Sequence, residues 1–314
     1  MKILILAGGC GTRLWPHMNP PKPFFLKDGT HTLLQKTLLR FIKTYPAHDL
    51  VILTQKAFAA IAREQADAIA PEIHVLAEPE KRNTAPALLY ALQHFEDEFF
   101  FVTPSDLLIA PENLFLEKLH FAKKNSETCS AVLFGIYPTS PNTDFGYIKC
   151  DPEKEISPVE KFLEKPSLSE TKSYLESGNW LWNSGMLLFH RNAFFAELEK
   201  ILKGPCPALS IDHAFLENFK NLCVMPLALS WSDVGTWDAV YEAYEKDESH
   251  NVIIGDVSLQ NTKNSLILGE SRPIKAIDVE DLLIVDSEEG LLVSRRQKPQ
   301  SIPSKEFSMN SLSQ

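Results

Sequence analysis

The 314-residue chain predicts an α/β fold: a mostly parallel mixed sheet with helices on both faces, followed by a small C-terminal β-rich domain. Three observations carry this expectation. Through the first half, short apolar runs without polar alternation, the pattern of strands buried on both faces, take turns with stretches of helical spacing. The first such run ends in a cluster of glycines, so a strand passes abruptly into a tight loop. After about residue 250 the helical spacing stops, and short strand patterns recur roughly every ten residues with turn residues between them.

The elements follow in order. Ile3, Leu4, Ile5 and Leu6 form the first strand, and Gly8, Gly9 and Gly11 come directly after it. Residues 16–27 have the Pro, Asn and Lys content of an irregular loop, and Asp28-Gly29 is a turn. Leu33, Leu34, Leu38, Phe41 and Ile42 place a helix within 30–45, with Thr30 or Thr32 as its cap. A strand over 50–54, an alanine-rich helix over 56–70 closed by Pro71, and a strand over 73–76 come next. The loop from Glu78 to Pro86 opens a helix over 86–95, capped by Asn83 or Thr84. A strand over 98–103 leads to Pro104-Ser105-Asp106, and a helix over 113–124 and a strand over 129–136 continue the alternation. Such alternation means a parallel sheet covered by helices, and ligands of such sheets sit at the carboxyl ends of the strands. The glycine loop and Asp106 both fall there.

The second half is less regular. Strands are expected over 145–149, 159–164, 182–190 and 222–229. Helices are expected over 169–177, 192–202, 211–219 and from 237 to about 244, with Ser210 or Asp212 capping the third. Charged and polar residues fill 246–251. The division that follows is a main domain over 1–248, a β-rich domain over 249–295 and a polar tail over 296–314.

Composition narrows the partners. Apolar residues make up 44% of the chain and charged residues 23%, ordinary for a soluble globular protein. A net charge of −10 and the lack of a basic run argue against a nucleic-acid partner. No apolar run approaches a membrane span, and the apolar stretch at the N-terminus is too short for a signal peptide. A cytoplasmic protein with no membrane partner is the expectation. Cys10, Cys129, Cys150, Cys206 and Cys223 are scattered, odd in number and form no Cys-x-x-Cys pair. That argues against a zinc site or a disulfide framework and suits a reducing compartment.

Several residues carry chemistry. Successive N–H groups around Gly8, Gly9 and Gly11, with Arg13 just beyond, make an anion cradle. Gly-Gly alone reads as a turn, but Arg13, and Lys22 inside Pro21-Lys22-Pro23, tip the balance toward a phosphate site. The spacing matches neither the P-loop nor the dinucleotide-binding glycine motif. Asp106 and Asp233 are the candidates for Mg²⁺, which binds through one or two carboxylates plus substrate phosphates. Each alone reads first as a turn or cap residue. Pro166 pushes Lys165 out of the α region and aims it outward, where a lone lysine is usually a solvated charge. Gly185 interrupts an apolar strand at Asn183-Ser184-Gly185, marking a bulge or the close approach of a ligand. Asp144-Phe145-Gly146-Tyr147 reads as a turn.

The order and wording of these pieces say more than each alone. The glycine loop through Leu14-Trp15-Pro16, Pro21-Lys22, Arg82-Asn83-Thr84-Ala85-Pro86, Pro104-Ser105-Asp106 and Phe145-Gly146-Tyr147-Ile148 occur in sequence. They are followed by Phe162-Leu163-Glu164-Lys165-Pro166, Trp182-Asn183-Ser184-Gly185-Met186, Ser210-Ile211-Asp212 and Trp231-Ser232-Asp233-Val234-Gly235-Thr236-Trp237. The set resembles the sugar-1-phosphate nucleotidylyltransferases over nearly the whole chain, and within them the mannose-1-phosphate guanylyltransferases. The glycine loop and Glu164-Lys165-Pro166 mark the superfamily. The Arg82 to Pro86 and Trp231 to Trp237 segments mark the mannose branch.

The resemblance implies a Rossmann-like fold of the nucleotide-diphospho-sugar transferase type. It implies that Gly8, Gly9, Gly11 and Thr12 lie against the nucleotide, that Arg13 and Lys22 hold its phosphates, and that Asp106 and Asp233 bind Mg²⁺. Arg82, Asn83 and Thr84 would face the purine base. Gly146, Glu164 and Asn183 would contact the sugar hydroxyls, and Lys165 the phosphate of the sugar phosphate. The implied reaction is transfer of GMP from GTP to α-D-mannose 1-phosphate, giving GDP-mannose and diphosphate. Alternatives on the same fold are another NTP or sugar 1-phosphate, or a non-catalytic regulatory subunit that senses nucleotide sugars. Retention of Arg13, Lys22, Asp106 and Asp233 favours the enzyme. Two departures from the family pattern stand out: the spacer between Arg13 and Lys22 is about two residues shorter than usual, and the isomerase domain of many relatives is expected to be absent. The edges of the β-rich domain call for a cover, either from the main domain or from a second copy of the chain in a homo-oligomer.

Overall fold

The computed structural model describes residues 1–9, 14–16, 19–80, 82–126, 129–202, 210–212 and 221–296. These fall into two compact units. The first holds Met1–Gly8, Leu34–Ser105 and Ile109–Trp231, and the second Gly9–Leu33, Asp106–Leu108 and Ser232–Gln314.

The first unit is built on a ten-stranded sheet. Its strands are β1 (Lys2–Leu6), β2 (Leu50–Gln55), β3 (His74–Glu78), β4 (Phe99–Pro104), β5 (Ala131–Ile136), β6 (Tyr147–Lys149), β7 (Ser157–Pro158), β8 (Lys161–Leu163), β9 (Trp180–His190) and β10 (Leu222–Leu227). The order is β7-β10-β5-β9-β4-β1-β2-β3, with β6 on β9 and β8 on β6. β1 runs parallel to β2 and β4, β2 to β3, and β10 to β5. β9 lies antiparallel between β4 and β5, which makes the sheet mixed. The carboxyl ends of β1, β2, β3 and β4 therefore share one edge of the sheet.

The α-helices along the chain are α1 (Lys22–Phe25), α2 (Leu33–Ile42), α3 (Ala59–Asp67), α4 (Thr84–His94), α5 (Glu112–Lys124), α6 (Leu168–Ser177), α7 (Arg191–Ile201) and α8 (Trp237–Ala243). Helices cover both faces of the sheet, as the uninterrupted apolar runs require. Phe100 and Phe101 are neighbours on β4 and so point to opposite faces. Phe101 meets Phe41 of α2 and Phe115 of α5, at ring separations of 5.8 and 6.1 Å. Phe100 belongs to the opposite cluster with Leu88 and Leu92 of α4 and Phe194 and Leu198 of α7. All these side chains are buried, each contributing about 1.5–3 kcal/mol by leaving water.

Three expectations change. The strand expected over 159–164 is shorter, β8 at Lys161–Leu163, and β7 precedes it: the chain leaves β10 after β7 and joins β6 as β8. Lys22 sits not in an irregular loop but at the start of the short helix α1, which follows Pro21. The cysteines are not all unpaired. Cys129 and Cys223 form a disulfide with Cα atoms 5.9 Å apart. Their separation of 94 residues hides the pairing, which arises because β10 lies directly beside β5. Cys150 is free and buried, and burial pushes its thiol up to about 11. Cys10, Cys206 and most of the helix expected over 211–219 lie outside the described residues. Among the described residues no helix is long and apolar enough to cross a membrane.

The second unit contains α1, α8, and a sheet of β11 (Val252–Gln260), β12 (Leu266–Ile277), β13 (Leu282–Ser287) and β14 (Gly290–Arg295). β11, β12 and β13 are parallel neighbours, and β14 folds back antiparallel on β13. Parallel neighbours ordinarily need a long crossover, yet only residues 261–265 join β11 to β12. The return is possible because the strands bend. The β11–β12 register shifts between Gly255 and Val257. At the bend Gly255 has φ 85°, and a Cβ there would lie 2.0 Å from the Gly269 carbonyl oxygen, so only glycine fits. Successive coils repeat their corners. Asn261 and Asp278, both left-handed, are 17 residues apart and joined by a 2.7 Å hydrogen bond. Asn264 and Asp281 are left-handed in the same relation. Leu266, Leu268, Leu283 and Val285 from these coils pack with Val240 and Tyr241 of α8 and with Leu14 and Leu26.

Candidate active site

In the first unit, the glycine loop begins at the shared carboxyl edge of the sheet. Ala7 N–H donates to the Leu53 carbonyl at 2.8 Å, continuing the β1–β2 ladder by one residue. The Gln55 side-chain amide then donates to the Gly8 carbonyl. Glu78, the last residue of β3, lies against the same glycine: a Cβ on Gly8 would stand 3.2 Å from Glu78 Oε1. Glu78 is buried, and its carboxylate makes no hydrogen bond or ion pair among the described residues. Burial alone pushes its pKa up to about 7, because desolvation disfavours the charged form. In the sequence Glu78 reads only as the start of a loop. The signal available is its place, a carboxylate just beyond the apolar strand expected over 73–76. Gly11, Thr12 and Arg13 lie outside the described residues.

Arg82, Asn83 and Thr84 each have a separate partner. Arg82 pairs with the exposed Glu80 at 2.5 Å. Asn83 is left-handed at φ 72° and caps α4, its side chain accepting from Thr84 N–H at 2.8 Å. Thr84 Oγ1 accepts a 2.8 Å hydrogen bond from the backbone of Ile211.

Four of the expected sugar-phosphate residues do come together in the same unit. A Cβ on Gly146 would lie 2.8 Å from Glu164 Oε2 and 3.4 Å from Asn183 Cβ, so a side chain there would close the space. Asn183 N–H donates to the Gly146 carbonyl at 2.8 Å. Lys165 stands 3.3 Å from Glu164 Oε1, with Lys165 exposed and Glu164 nearly buried. Pro166 does keep Lys165 out of the right-handed helical region, but the residue takes φ 47° rather than an extended conformation. Asn183-Ser184-Gly185 is a bulge, with β9 shifting register on β5 between Asn183 and Leu187 and Gly185 at φ 74°. Asn183 itself still pairs with Gly135, and the register shift begins just after it. Its Oδ1 accepts from Gly185 N–H at 3.2 Å, and its Nδ2 donates to Asp212 Oδ1 at 2.9 Å.

In the second unit, Lys22 joins the carboxylate of one expected metal residue to the backbone of the other. Its Nζ is 2.8 Å from Asp106 Oδ2 and donates to the backbone carbonyls of Asp233 at 2.5 Å and Val234 at 3.2 Å. A lysine has three N–H donors, and all three are engaged. The expectation of a phosphate-holding Lys22 thus meets a buried side chain that is bound within the protein. The Asp233 carboxylate accepts from Gly235 N–H at 3.2 Å, and a Cβ on Gly235 would press to 3.0 Å from it. Thr236 then caps α8 through Ala239 N–H, and Trp237 Nε1 donates to the Trp15 carbonyl at 2.9 Å. The Asp106 carboxylate and the Asp233 and Val234 carbonyls surround the Lys22 ammonium, and with the Asp233 carboxylate the donor set is all oxygen. It fits Mg²⁺, a hard ion that takes few protein carboxylates and completes its shell with substrate phosphates and water.

Residues 2–250 match the nucleotidyl transferase family model. An alginate biosynthesis protein, AlgA, of Pseudomonas putida is 32% identical over 95% of this chain and 69% of its own length. A mannose-1-phosphate guanylyltransferase of Salmonella montevideo is 33% identical over 95% of this chain and 72% of its own. A crystal structure from Thermus thermophilus, described as a mannose-1-phosphate geranyltransferase, superposes with a TM-score of 0.80 at 27% identity, covering 94% of this chain and 95% of that one. A glycine loop leaving a parallel sheet, and relatives matched along almost the whole chain, lead to one conclusion: the chain belongs to the nucleotidyl transferase family.

Proposed function

We propose that this protein transfers GMP from GTP to α-D-mannose 1-phosphate, forming GDP-mannose and diphosphate. The observation that carries the sugar and the nucleotide is the near full-length similarity to a mannose-1-phosphate guanylyltransferase. Glu78 supports the guanine. A carboxylate offers two acceptor oxygens, matched to the adjacent ring N–H and exocyclic NH₂ of guanine, where adenine presents an acceptor. Its position against Gly8 suits a base entering over the glycine loop.

The sugar phosphate oxygen attacks the α-phosphorus in line, and the diphosphate leaves. The nucleophile is already anionic, so no general base is assigned. Positioning and charge neutralisation do the work. Arg13 stabilises the departing diphosphate, Lys165 holds the incoming phosphate, and Glu164 and Asn183 take sugar hydroxyls beside Gly146. Lys22 holds Asp106 and the Asp233 segment in place. Mg²⁺, held by Asp106 and Asp233, would supply Lewis-acid stabilisation of phosphate charge. The expected setting is the cytoplasm.

The test is diphosphate release by the purified protein with each of four NTPs and a panel of sugar 1-phosphates, with and without Mg²⁺. Turnover is expected with GTP and mannose 1-phosphate and is expected to need the metal. Turnover with no pair would remove the enzyme reading, and turnover with UTP or dTTP alone would remove the guanylyl one.

A further inference from the structure

We infer that Ile211 and Asp212 form a strap that couples the sugar-phosphate subsite to the nucleotide loop, with Asp212 as a positioning residue for Asn183. The inference rests on the reading above, in which Asn183 contacts the sugar, and on the family resemblance, which has the Asn83-Thr84 segment face the base.

Two hydrogen bonds from adjacent residues carry it. Asp212 Oδ1 accepts from Asn183 Nδ2 at 2.9 Å, and Ile211 N–H donates to Thr84 Oγ1 at 2.8 Å. One short segment thus holds a side chain of the β9 bulge and the first helical residue of α4. Neither contact is demanded by the sheet or by α4. The β9–β5 ladder uses the Asn183 backbone and not its side chain, and Thr84 N–H is already satisfied by the Asn83 side chain.

The consequence for Asn183 is specific. An amide side chain can present either its oxygen or its NH₂ to a ligand, and the two orientations recognise opposite partners. Asp212 can only accept, and Gly185 N–H can only donate, so together they fix Nδ2 on one side and Oδ1 on the other. One Nδ2 hydrogen and one Oδ1 lone pair remain for sugar hydroxyls, in a set orientation beside Gly146 and Glu164.

The consequence for coupling follows from the covalent link. Any displacement of Asn183 by a bound sugar phosphate pulls on Asp212, and Ile211 passes it to Thr84 at the start of α4. Coupling of this kind is reciprocal: each ligand changes the affinity of the other by the same factor.

The experiment is calorimetric titration of the full chain with a GTP analogue whose α–β bridge is methylene, and with mannose 1-phosphate, each alone and in the presence of the other. In the wild type each ligand is expected to tighten the other by the same factor, about threefold or more. In Asp212→Ala, mannose 1-phosphate affinity is expected to fall about tenfold or more, because a charge-assisted hydrogen bond is lost and Asn183 is released, and the coupling factor to fall to one. Asp212→Asn keeps an acceptor for Asn183 and should restore most of both. Thr84→Val removes the Ile211 contact and should lose coupling while mannose 1-phosphate affinity stays within about twofold. Wild-type mannose 1-phosphate affinity and coupling in Asp212→Ala would overturn the inference, as would a wild type without coupling. Should Asp212→Ala fail to fold, Thr84→Val with undiminished coupling overturns it alone. A wild type that binds both ligands with coupling but forms no diphosphate overturns the reaction assigned above and leaves the strap standing.

Discussion

At the scale of single residues, the proposed reaction is tested most directly at two side chains. Arg13 is the cation that the resemblance assigns to the leaving diphosphate. Arg13→Ala is expected to lower kcat at least about a hundredfold, the usual cost of losing one preorganised donor to developing charge, with an unchanged circular-dichroism spectrum. A folded variant with near-normal kcat would remove Arg13 from the mechanism. Glu78 offers a test through pH. Its pKa is about 7 in the folded protein against 4.5 as the ordinary value. Between these two values the folded state keeps a proton that the unfolded chain has lost, so stability falls as pH rises through this window and the deficit is complete above about 7. Glu78→Gln should therefore melt higher than wild type at pH 8 and level with it near pH 4. If the carboxylate reads guanine, KM for GTP should also rise as pH falls below 7 in the wild type, and Glu78→Gln should be flat there and poorer in choosing GTP over ATP. Motif wording makes Asp106, Glu164 and Asn183 legible in the sequence, because turn chemistry and strand ends are local. Glu78 and the saturated ammonium of Lys22 are not legible there, because an empty or full hydrogen-bonding shell depends on neighbours distant in the chain.

At the scale of elements, the sheet strands are readable because strands buried on both faces need no polar alternation. Phe100 and Phe101 can be assigned to a strand from the run Phe99-Phe100-Phe101-Val102 alone, and the two helical layers follow from their opposite directions. The β9 bulge is half readable: Gly185 signals a break in pairing, but the exit of Asn183 toward Asp212 depends on a register set by β5. The C-terminal coils hide their geometry. Short strands at even spacing read as hairpins or coils equally well, and the deciding signal is a repeat of Asn and Asp at left-handed corners, Asn261 with Asp278 and Asn264 with Asp281. Gly255 is the residue on which the first bend depends. Gly255→Ala adds a strained φ of 85° and a clash with the Gly269 backbone that no side-chain rotation relieves. A loss of about 1–3 kcal/mol or more is expected from the backbone conformation, seen as a lower urea midpoint. An unaltered midpoint would mean that β11 can open at its bend without cost, against the parallel register read for it.

At the scale of the whole molecule, the order of motifs along the chain points to the family, and the alginate relative matches 95% of this chain at 32% identity. What such order cannot carry is long-range covalent pairing. Cys129 lies just before β5 and Cys223 within β10, and nothing in a count of five cysteines joins them. The sheet does, by placing β10 parallel to β5 with Leu222 opposite Ala131. The bond closes a loop of 94 residues that contains β6 to β9, including Gly146, Glu164, Lys165 and Asn183, together with Asp212. Closing so long a loop restricts the unfolded chain far more than the folded one, and the usual contribution is about 2–4 kcal/mol. Cys223→Ser, or treatment with a thiol reductant, should accordingly lower the thermal midpoint by several degrees. The double variant Cys129→Ser with Cys223→Ser should match either single one, because all three lose the same link. Activity at temperatures well below the midpoint should stay near that of the wild type, because the hydrogen bonds holding Asn183 and Thr84 are made without the sulfurs. A reductant that leaves the midpoint of the oxidised protein unmoved would show that the link adds nothing to the fold, and additive losses in the double variant would show that each cysteine acts through its own packing instead of through the bond.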